Sequence, residues 1–387
     1  MTNKIYFDNA TTSWPKPKSM LRSMEIFEEN IGVSPGRSSH SLSISSARVM
    51  HEARSSISEL LGAENPCCVA FCMNATQALN MALSGLLKRG DHVIVSAMEH
   101  NSVMRPLRAL EEKGVELDIS KGENGGVPDD GNIASAIRPN TRAIVINHAS
   151  NVTGAIAPVK KSGRLAREHN LVCCVDAAQS LGFLDIDVRE MNIDMLAFTG
   201  HKFLMGPTGT GGLYIRKGLE HEVAPILVGG TGSNSEFETH PSFMPDKLEA
   251  GTPNILGISG LNDSVKYVRS IGLPNIREKL LKLREMFLGG LSGIENAVIY
   301  TSACDGSVPI VSFNIKGRDP SDVSHILDEK YGILSRPGLH CSPLAHKTIG
   351  TFPKGTVRFS FSYFNSTVEI KEALEALREI SKNNDRD

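Results

Sequence analysis

Short apolar runs alternate with helical segments through the first half of the chain, and this alternation constrains the fold more than any other feature. Runs typical of strands lie at 68–73, 92–96, 115–119, 143–146, 171–175 and 194–198. Apolar residues at helical spacing separate several of these runs, as at 75–86, 103–113 and 158–169. Strands separated by helices are typical of an α/β domain with a mainly parallel central sheet flanked by helices.

Polar residues stand directly after several of these runs. Asn74 follows the run at 68–73 and is placed to cap a helix, where free backbone N–H groups and the helix dipole can hold a phosphate. Most such turns bind nothing, so this signal is weak alone. The other polar residues after predicted strands are Glu99, His100, Asn101, His148, Ser150, Asn151, Asp176, Gln179, Thr199, His201 and Lys202. Because carboxyl ends of parallel strands share one edge, we expect a site there.

Lys202 lies among apolar residues in the segment 195–207, just after one of the predicted strands. Desolvation lowers the pKa of a lysine, and the neutral amine can react with an aldehyde. Asp176 ends an earlier buried run. A carboxylate for a ring nitrogen and an amine for an aldehyde are the pair that pyridoxal 5'-phosphate (PLP) requires. A surface loop for the lysine and a turn cap for the aspartate are the alternatives.

The second half of the chain has a different pattern, which begins after a segment rich in Gly, Ser, Thr and Pro at 229–254. Helices are predicted at 259–271, 274–290 and 320–331, and strands at 297–300, 308–315 and 357–361. We therefore expect a large domain at 14–256 and a smaller α+β domain made of 1–13 and 257–387.

Composition excludes several kinds of partner. The formal net charge of −2 comes without charged blocks, which gives no footprint for nucleic acid or an anionic membrane. No apolar run is long enough to span a bilayer, and the first residues lack the apolar core of a signal peptide. Five of the seven cysteines lie in apolar runs and are interpreted as buried thiols of a reducing, cytoplasmic compartment: Cys67, Cys68, Cys72, Cys173 and Cys174.

Cys341 lies in a different setting, the segment 335–343, whose composition predicts a mobile loop. His340 is its neighbour and Arg336 is close in sequence. Positive neighbours favour the thiolate, which is the nucleophilic form of cysteine. An idle surface thiol is one alternative, and a metal site with His340 and His346 is another. Since no second cysteine lies close in sequence to complete a zinc set, no metal is expected.

Nine short motifs occur in order along the chain, at 6–12 (YFDNATT), 74–76 (NAT), 99–101 (EHN), 151–154 (NVTG), 176–179 (DAAQ), 199–202 (TGHK), 249–254 (EAGTPN), 336–341 (RPGLHC) and 357–360 (VRFS). Each is weak alone. Together they make the sequence resemble the class V aminotransferases, and more narrowly the cysteine desulfurases, over essentially its whole length. The resemblance implies the fold-type I architecture of PLP-dependent transferases and a homodimer.

The resemblance also implies roles for the matching residues. It makes Lys202 the residue that binds the cofactor aldehyde, Asp176 the partner of the ring nitrogen, and His100 a ring-stacking residue that exchanges protons with substrate. Asn151 and Gln179 are implied as partners of the phenolic oxygen of the cofactor. The implied phosphate-binding residues are Ala75, Thr76, Thr199, His201 and, for the site of the partner subunit, Thr252.

Arginines are the implied ligands of the substrate carboxylate. Arg358 lies on a predicted strand among apolar residues, where a fixed guanidinium suits an amino-acid carboxylate and a structural ion pair is the alternative. Arg336 and Arg37, together with Asn151, are further candidates for contact with substrate. Cys341 is implied as the thiol that attacks the substrate sulfur and keeps it as a persulfide.

The expected function is therefore that of a PLP-dependent cysteine desulfurase, which converts L-cysteine to L-alanine and passes sulfur from Cys341 to an acceptor protein. Pro337 and Leu339 depart from commoner choices in the cysteine segment. A selenocysteine lyase is the first alternative, and a transaminase or kynureninase-like enzyme, which leaves Cys341 without a role, is the next. A non-enzymatic sulfur-relay scaffold is the last, and the presence of Lys202 and Asp176 argues against it.

Overall fold

A computed structural model gives the structure of residues 4–36, 38–123, 126–128, 130–301 and 306–382. The helices are α1 (Lys18–Asn30), α2 (Ser41–Leu60), α3 (Ala75–Leu86), α4 (Asn101–Glu111), α5 (Asp130–Ser135), α6 (Val159–Glu168), α7 (Ile255–Ile271), α8 (Leu273–Ser292), α9 (Pro320–Tyr331), α10 (Pro343–Thr348) and α11 (Thr367–Lys382). The strands are β1 (Ile5–Tyr6), β2 (Val69–Cys72), β3 (His92–Ser96), β4 (Glu116–Ser120), β5 (Gly122–Glu123), β6 (Val127–Pro128), β7 (Thr141–Asn147), β8 (Val172–Asp176), β9 (Met195–Thr199), β10 (Gly211–Ile215), β11 (Ala297–Ile299), β12 (Ile310–Ile315), β13 (Ile333–Leu334), β14 (Arg336–Gly338) and β15 (Thr356–Ser360).

Seven strands form the central sheet, in the order β2-β10-β9-β8-β7-β3-β4. Neighbouring strands are parallel except at β10, which runs antiparallel to both β2 and β9. The predicted α/β class with a mainly parallel sheet is confirmed. Because β7, β8 and β9 are adjacent and parallel, the residues that follow Asn147, Asp176 and Thr199 lie at one edge of the sheet.

The side chains of the central strands alternate between two apolar cores, one on each face of the sheet. In β9, Leu196 and Phe198 join one core, and Met195 and Ala197 join the other. Every residue of β8 and of β9 is buried. Burial on both faces explains why these strands read as continuous apolar runs in the sequence.

Two helix starts determine where residues of the sheet edge lie. The side chain of Asn74 accepts a hydrogen bond from the Gln77 N–H at 3.0 Å, so α3 begins directly after β2, as the sequence predicts. Nδ1 of His100 accepts from the Ser102 N–H at 3.0 Å and caps α4 in the same way. Histidine is not a preferred N-cap residue, so this second cap is not predictable from composition.

A second sheet is formed by the last part of the chain, in the order β11-β12-β15-β14, with every neighbour antiparallel. Helices α8 and α9 pack on it, and α11 packs on both helices. The first described strand, β1, pairs with β13, and Asp8 forms a bridge to Ser360 of β15. The N-terminal residues therefore lie against strands from the opposite end of the chain.

The proposed domain division at 256/257 stays a prediction. Helix α7 begins at Ile255, earlier than the predicted start, and packs against α1 and α2. The interpretation of Cys67 as a buried thiol is wrong, because this residue is exposed within the short turn of 3₁₀ helix at Pro66–Cys68, and Cys72 is only partly buried. None of the described helices is both long enough and apolar enough to cross a membrane.

Candidate active site

A pocket lies at the carboxyl-end edge of the central sheet and gathers residues from five separate parts of the chain. Nine of the residues predicted from the sequence for cofactor binding or catalysis line it, namely Ala75, Thr76, His100, Asn151, Asp176, Gln179, Thr199, His201 and Lys202. Four further lining residues had no predicted role at this site beyond helix capping: Asn74, Ser102, Asn147 and Ala178. The parallel order of β7, β8 and β9 is what brings these distant segments together.

Lys202 lies in the turn after β9 and lines the pocket. Its amine makes no hydrogen bond or ion pair with any residue of the described ranges. The pKa of this amine is lowered to about 8, chiefly by burial and also by Arg358 and Arg336, whereas the carboxylate of Asp176 opposes them. The amine is therefore available as a neutral nucleophile or base at a much lower pH than a surface lysine.

Asp176 ends β8 and is almost fully buried. Its Oδ1 accepts a hydrogen bond from the Ala178 N–H at 2.9 Å, which fixes the carboxyl orientation. Burial raises the pKa of this carboxyl, whereas the Ala178 N–H and the nearby charge of Lys202 lower it. A positively charged ligand atom beside Asp176 would favour the ionised carboxylate.

Two lining residues carry buried polar atoms without a protein partner in the described ranges. Gln179 donates from Nε2 to the Ala10 carbonyl at 2.9 Å, but its Oε1 has no partner. Nδ1 of His201 likewise has none, and burial lowers the pKa of this imidazole to about 4, so the ring is neutral. Unpartnered buried polar atoms are costly, so their clustering at one pocket indicates a polar ligand.

The helix start of α3 forms the anion-binding side of the pocket. The first residues of α3, Ala75 and Thr76, have backbone N–H groups that no preceding turn of the helix satisfies. The Thr76 hydroxyl lies 2.8 Å from Oγ of Ser102. Across the pocket, the Thr199 hydroxyl donates to the Thr210 carbonyl at 3.3 Å, so it remains free only as an acceptor.

His100 is positioned by the helix that it caps. Nδ1 accepts from the Ser102 N–H and lies 2.9 Å from the Ser102 hydroxyl. The pKa of this imidazole is lowered to about 3, chiefly by burial and also by the charges of Lys202 and Arg336. The ring is therefore neutral and carries its proton on Nε2. Ser102 was missed from the sequence, because its place beside the pocket depends on the His100 cap, which composition does not predict.

Arg358 is fully buried on β15 and is hydrogen-bonded to Asn151, which lines the pocket. Its Nη2 donates to Asp8 Oδ1 at 2.8 Å and to the Thr11 hydroxyl at 3.0 Å, and Nη1 donates to the Asn151 carbonyl at 3.1 Å. Burial lowers the pKa of the guanidinium to about 10, which still leaves it charged at neutral pH. Nε is buried without a partner in the described ranges, so a donor remains for a ligand.

Cys341 is exposed, and its Sγ lies 3.4 Å from Nη2 of Arg336. Its carbonyl accepts from the Asn101 N–H at 2.8 Å, which places it next to His100 and the pocket. Asn151 donates to the His340 carbonyl at 2.8 Å.

The segment predicted to be a loop around Cys341 is a loop only in part, because Cys341 lies in a turn between a strand and a helix. Residues Arg336–Gly338 form β14, and α10 begins at Pro343. The Ser342 hydroxyl donates to Oδ1 of Asn151 at 2.8 Å, so one buried amide holds the residues on both sides of Cys341. The thiol is thus presented by a segment whose backbone is held at several points.

Not every predicted site residue lines the pocket. Thr252 is exposed and does not line it. Arg37 lies outside the described residues. Arg336 is partly buried and donates from Nη1 to the Thr11 hydroxyl at 2.7 Å, so Thr11 joins it to Arg358. The predicted motif at 6–12 contains Thr11 and Asp8, but nothing in its sequence pattern reveals that they contact these arginines.

Comparison with known proteins agrees with this geometry. The family model described as Aminotransferase class-V matches residues 5–373. A probable cysteine desulfurase of Methanothermobacter thermautotrophicus is 36% identical over 98% of this chain and 96% of its own length. The apo structure of a cysteine desulfurase from Thermococcus onnurineus NA1 has a TM-score of 0.92 at 33% identity, over 98% of this chain and 95% of that one.

A second solved structure, the cysteine desulfurase CsdA (S-sulfonic acid) from Escherichia coli, has a TM-score of 0.88 at 26% identity, over 98% of this chain and 95% of that one. A probable cysteine desulfurase of Pyrococcus abyssi is 34% identical over 98% of this chain and 94% of its own length. Since both the family match and the relatives span nearly the whole sequence, the chain belongs to the aminotransferase class-V family, in the branch that contains the cysteine desulfurases.

Proposed function

We propose that this enzyme is a PLP-dependent cysteine desulfurase, which converts L-cysteine to L-alanine and keeps the sulfur on Cys341 as a persulfide for an acceptor protein. The observation that carries the proposal is an exposed thiol beside Arg336, at the rim of a pocket that contains Lys202 and Asp176. A transaminase needs the pocket but leaves the thiol without a task. The cysteine desulfurase relatives support the same choice.

The pocket offers a group for each part of PLP. Lys202 suits the aldehyde, because its amine has no protein partner in the described ranges and is readily neutral. Asp176 suits the ring nitrogen, and Oε1 of Gln179 and Nδ1 of His201 are buried polar atoms that await a partner. When bound, PLP supplies an electron sink for negative charge at the α-carbon of the substrate.

Phosphate fits the N-terminal end of α3. Ala75 and Thr76 present backbone N–H groups there, and the helix dipole favours an anion. Thr199 and His201 lie across the pocket. Asn151 has both side-chain atoms engaged with the Cys341 segment, so only its second N–H is left for the phenolic oxygen of the cofactor.

Substrate is oriented by the arginine network. Arg358 binds the carboxylate of L-cysteine, and its Nε has no protein partner in the described ranges. The substrate carboxylate also shares the Nη2 donor with Asp8 or replaces Asp8 there. Lys202 removes the α-proton as a neutral amine. His100, with its proton held on Nε2 at the pocket, donates to or accepts from the substrate.

Sulfur transfer uses the thiolate of Cys341, which lies beside the guanidinium of Arg336. The thiolate attacks the substrate sulfur, an S–S bond forms and the C–S bond of L-cysteine breaks. The electron pair of that bond stays on the substrate carbon, which takes up a proton and leaves as L-alanine. No external oxidant is needed, because the electron pair of the broken C–S bond stays on the substrate and the reaction as a whole gains or loses no electrons.

The assembly is proposed to be a cytoplasmic homodimer that binds neither nucleic acid nor membrane. The low net charge supports the absence of nucleic-acid binding. Large apolar side chains are exposed near the pocket and along the segment that precedes Thr252, including Trp14, Met73, Leu227, Val228 and Phe237. Exposed apolar groups of this kind mark protein contact surfaces, so a partner subunit that covers them would also bring Thr252 to its neighbour's phosphate.

Alanine formation from L-cysteine tests the proposal. We expect Lys202→Ala to lose the visible absorption of bound PLP and all turnover, and Cys341→Ser to keep the absorption but lose persulfide formation and sulfide release. Cys67→Ser is the matched control, because Cys67 is also exposed but lies away from the pocket lining. Turnover of L-cysteine that is unchanged in Cys341→Ser would overturn the role of the thiol, and activity confined to selenocysteine would identify a selenium enzyme.

A further inference from the structure

A buried pair of imidazoles lies under the proposed nucleophile. His340, the residue before Cys341, is 2% exposed, and His346 on α10 is fully buried. Nδ1 of His340 lies 3.2 Å from Nε2 of His346. Nε2 of His340 lies 3.0 Å from the Arg336 carbonyl, and Nδ1 of His346 lies 2.7 Å from the Thr351 hydroxyl.

The donors and acceptors of these side chains allow only one direction of hydrogen bonding from Thr351 to Arg336. The Arg336 carbonyl can only accept, so Nε2 of His340 carries a proton and its Nδ1 is an acceptor when the ring is neutral. His346 must then donate from Nε2, which leaves its Nδ1 to accept from the Thr351 hydroxyl. The order of donation is therefore Thr351 to His346 to His340 to Arg336.

Both imidazoles are held neutral. Burial lowers the pKa of His346 to about 4 and lowers the pKa of His340 well below its ordinary value, and the charge of Arg358 acts in the same direction on both. A proton added to Nδ1 of His340 would face the N–H of His346, which breaks the chain of donors. The arrangement therefore suits a fixed support and does not suit a proton shuttle.

The backbone at His340 and Cys341 is strained. His340 has φ 50° and Cys341 has φ 57°, so two consecutive residues other than glycine lie in the left-handed region. Such a conformation persists only where surrounding contacts fix it. Asn151 and Asn101 hold the two carbonyls from one side, and the His346 bond holds the His340 side chain from the other.

We propose that His346 is a positioning residue for Cys341, which acts through His340 to keep the turn closed so that the thiol stays beside Arg336. The His340–Arg336 bond joins the same two ends of the turn that the contact between Cys341 Sγ and the Arg336 guanidinium joins. His346 contacts neither the pocket lining nor the thiol. The inference rests on the proposed role of Cys341 as the sulfur acceptor.

The test is the pH profile of Cys341 alkylation by iodoacetamide in the holoenzyme, followed by mass spectrometry of the cysteine peptide. We expect His346→Leu to slow alkylation at neutral pH by about tenfold, since fewer molecules keep the thiol beside the guanidinium. His346→Gln should restore most of the wild-type profile, because its amide can donate to His340 and accept from Thr351. Alkylation of Cys67 in the same samples is the internal control.

Two further variants make the result decisive. In Arg336→Gln, which removes the charge that the support positions, adding His346→Leu should cause no further slowing. Thr351→Val should slow alkylation by a smaller factor, and it serves alone where His346→Leu does not fold. A wild-type profile in either His346→Leu or Thr351→Val, or an equal change at Cys67, would overturn the proposal. Alkylation needs no turnover, so a wild-type enzyme that forms no alanine would refute the proposed function and leave this measurement readable.

Discussion

His100 serves two purposes with its two ring nitrogens. Nδ1 accepts the Ser102 N–H and starts α4, whereas Nε2 carries the proton that faces the pocket. The cap therefore decides which nitrogen is available for chemistry. A residue that keeps the cap but lacks the second nitrogen separates the two purposes.

His100→Asn and His100→Ala form such a matched pair. Asparagine can accept from the Ser102 N–H, so His100→Asn should keep the stability of the wild type but lose about 10²- to 10⁴-fold in the rate of alanine formation. His100→Ala should lose the same activity and, in addition, about 1 kcal/mol of unfolding free energy, measured in urea. Wild-type turnover in His100→Asn would exclude a role for Nε2 in catalysis.

At this scale the sequence indicates the groups at strand ends but not their partners. Lys202 and Asp176 could be predicted because a charged residue after a buried strand is unusual. The bridge from Asn151 to the Cys341 segment could not, because the partners are 189 and 191 positions apart in sequence. No local pattern encodes such a contact, which depends on how the two sheets meet.

Strand β15 joins Arg358, the proposed substrate ligand, to the core of the second sheet. Arg358 points to the pocket side, whereas its neighbour Phe359 packs with the ring of Phe287 at a centroid distance of 5.0 Å. Phe287 also contacts the rings of Phe313 and Phe361. The position of the arginine along the sheet therefore depends on this aromatic cluster.

Phe287→Ala should cost about 3–5 kcal/mol of unfolding free energy, because it leaves a cavity among rings that are fully buried. We also expect weaker binding of L-cysteine, seen as a raised KM, since β15 loses its support. The control is Val368→Ala, an exposed position in the first turn of α11, which should change stability by less than about 0.5 kcal/mol. A stability loss under about 1 kcal/mol for Phe287→Ala would contradict the inference that the aromatic cluster around Phe287 supports β15.

Two elements differ from the sequence prediction for physical reasons. Pro337 and Gly338 are typical of a loop, yet they form β14, because β14 is an edge strand and needs to pair only with β15. Strand β10 runs antiparallel within a sheet predicted to be mainly parallel, because a short connection after β9 turns directly back. Pairing partners, which local propensity does not encode, decide both cases.

The whole molecule leaves apolar side chains exposed beside the site. Met73 is 61% exposed and directly precedes Asn74, which lines the pocket. Val228 is 69% exposed in the long segment that leads to Thr252. The proposed homodimer, in which each subunit would complete the other's phosphate site, would cover both of these side chains.

Mixed dimers test this arrangement. Lys202→Ala and Thr252→Ala should each lower activity alone, the first completely and the second through weaker retention of PLP. When the two variants are refolded or exchanged together, dimers with one subunit of each type should regain one complete site. We expect retention of PLP and alanine formation to exceed the sum of the separate variants. Activity equal to that sum would place Thr252 in the site of its own subunit or outside both.

Because the N-terminal segment contacts residues from later in the sequence, the site can form only late in the synthesis of the chain. Asp8 bonds Arg358, the Ala10 carbonyl accepts from Gln179, and the Ser13 N–H donates to the His201 carbonyl. A ribosome needs roughly 20–80 s to make 387 residues, and the first residues wait through most of that time for β15. A nascent chain therefore cannot form the proposed amino-acid site until its last strands have been synthesised, and a chain truncated before β15 is expected to be inactive.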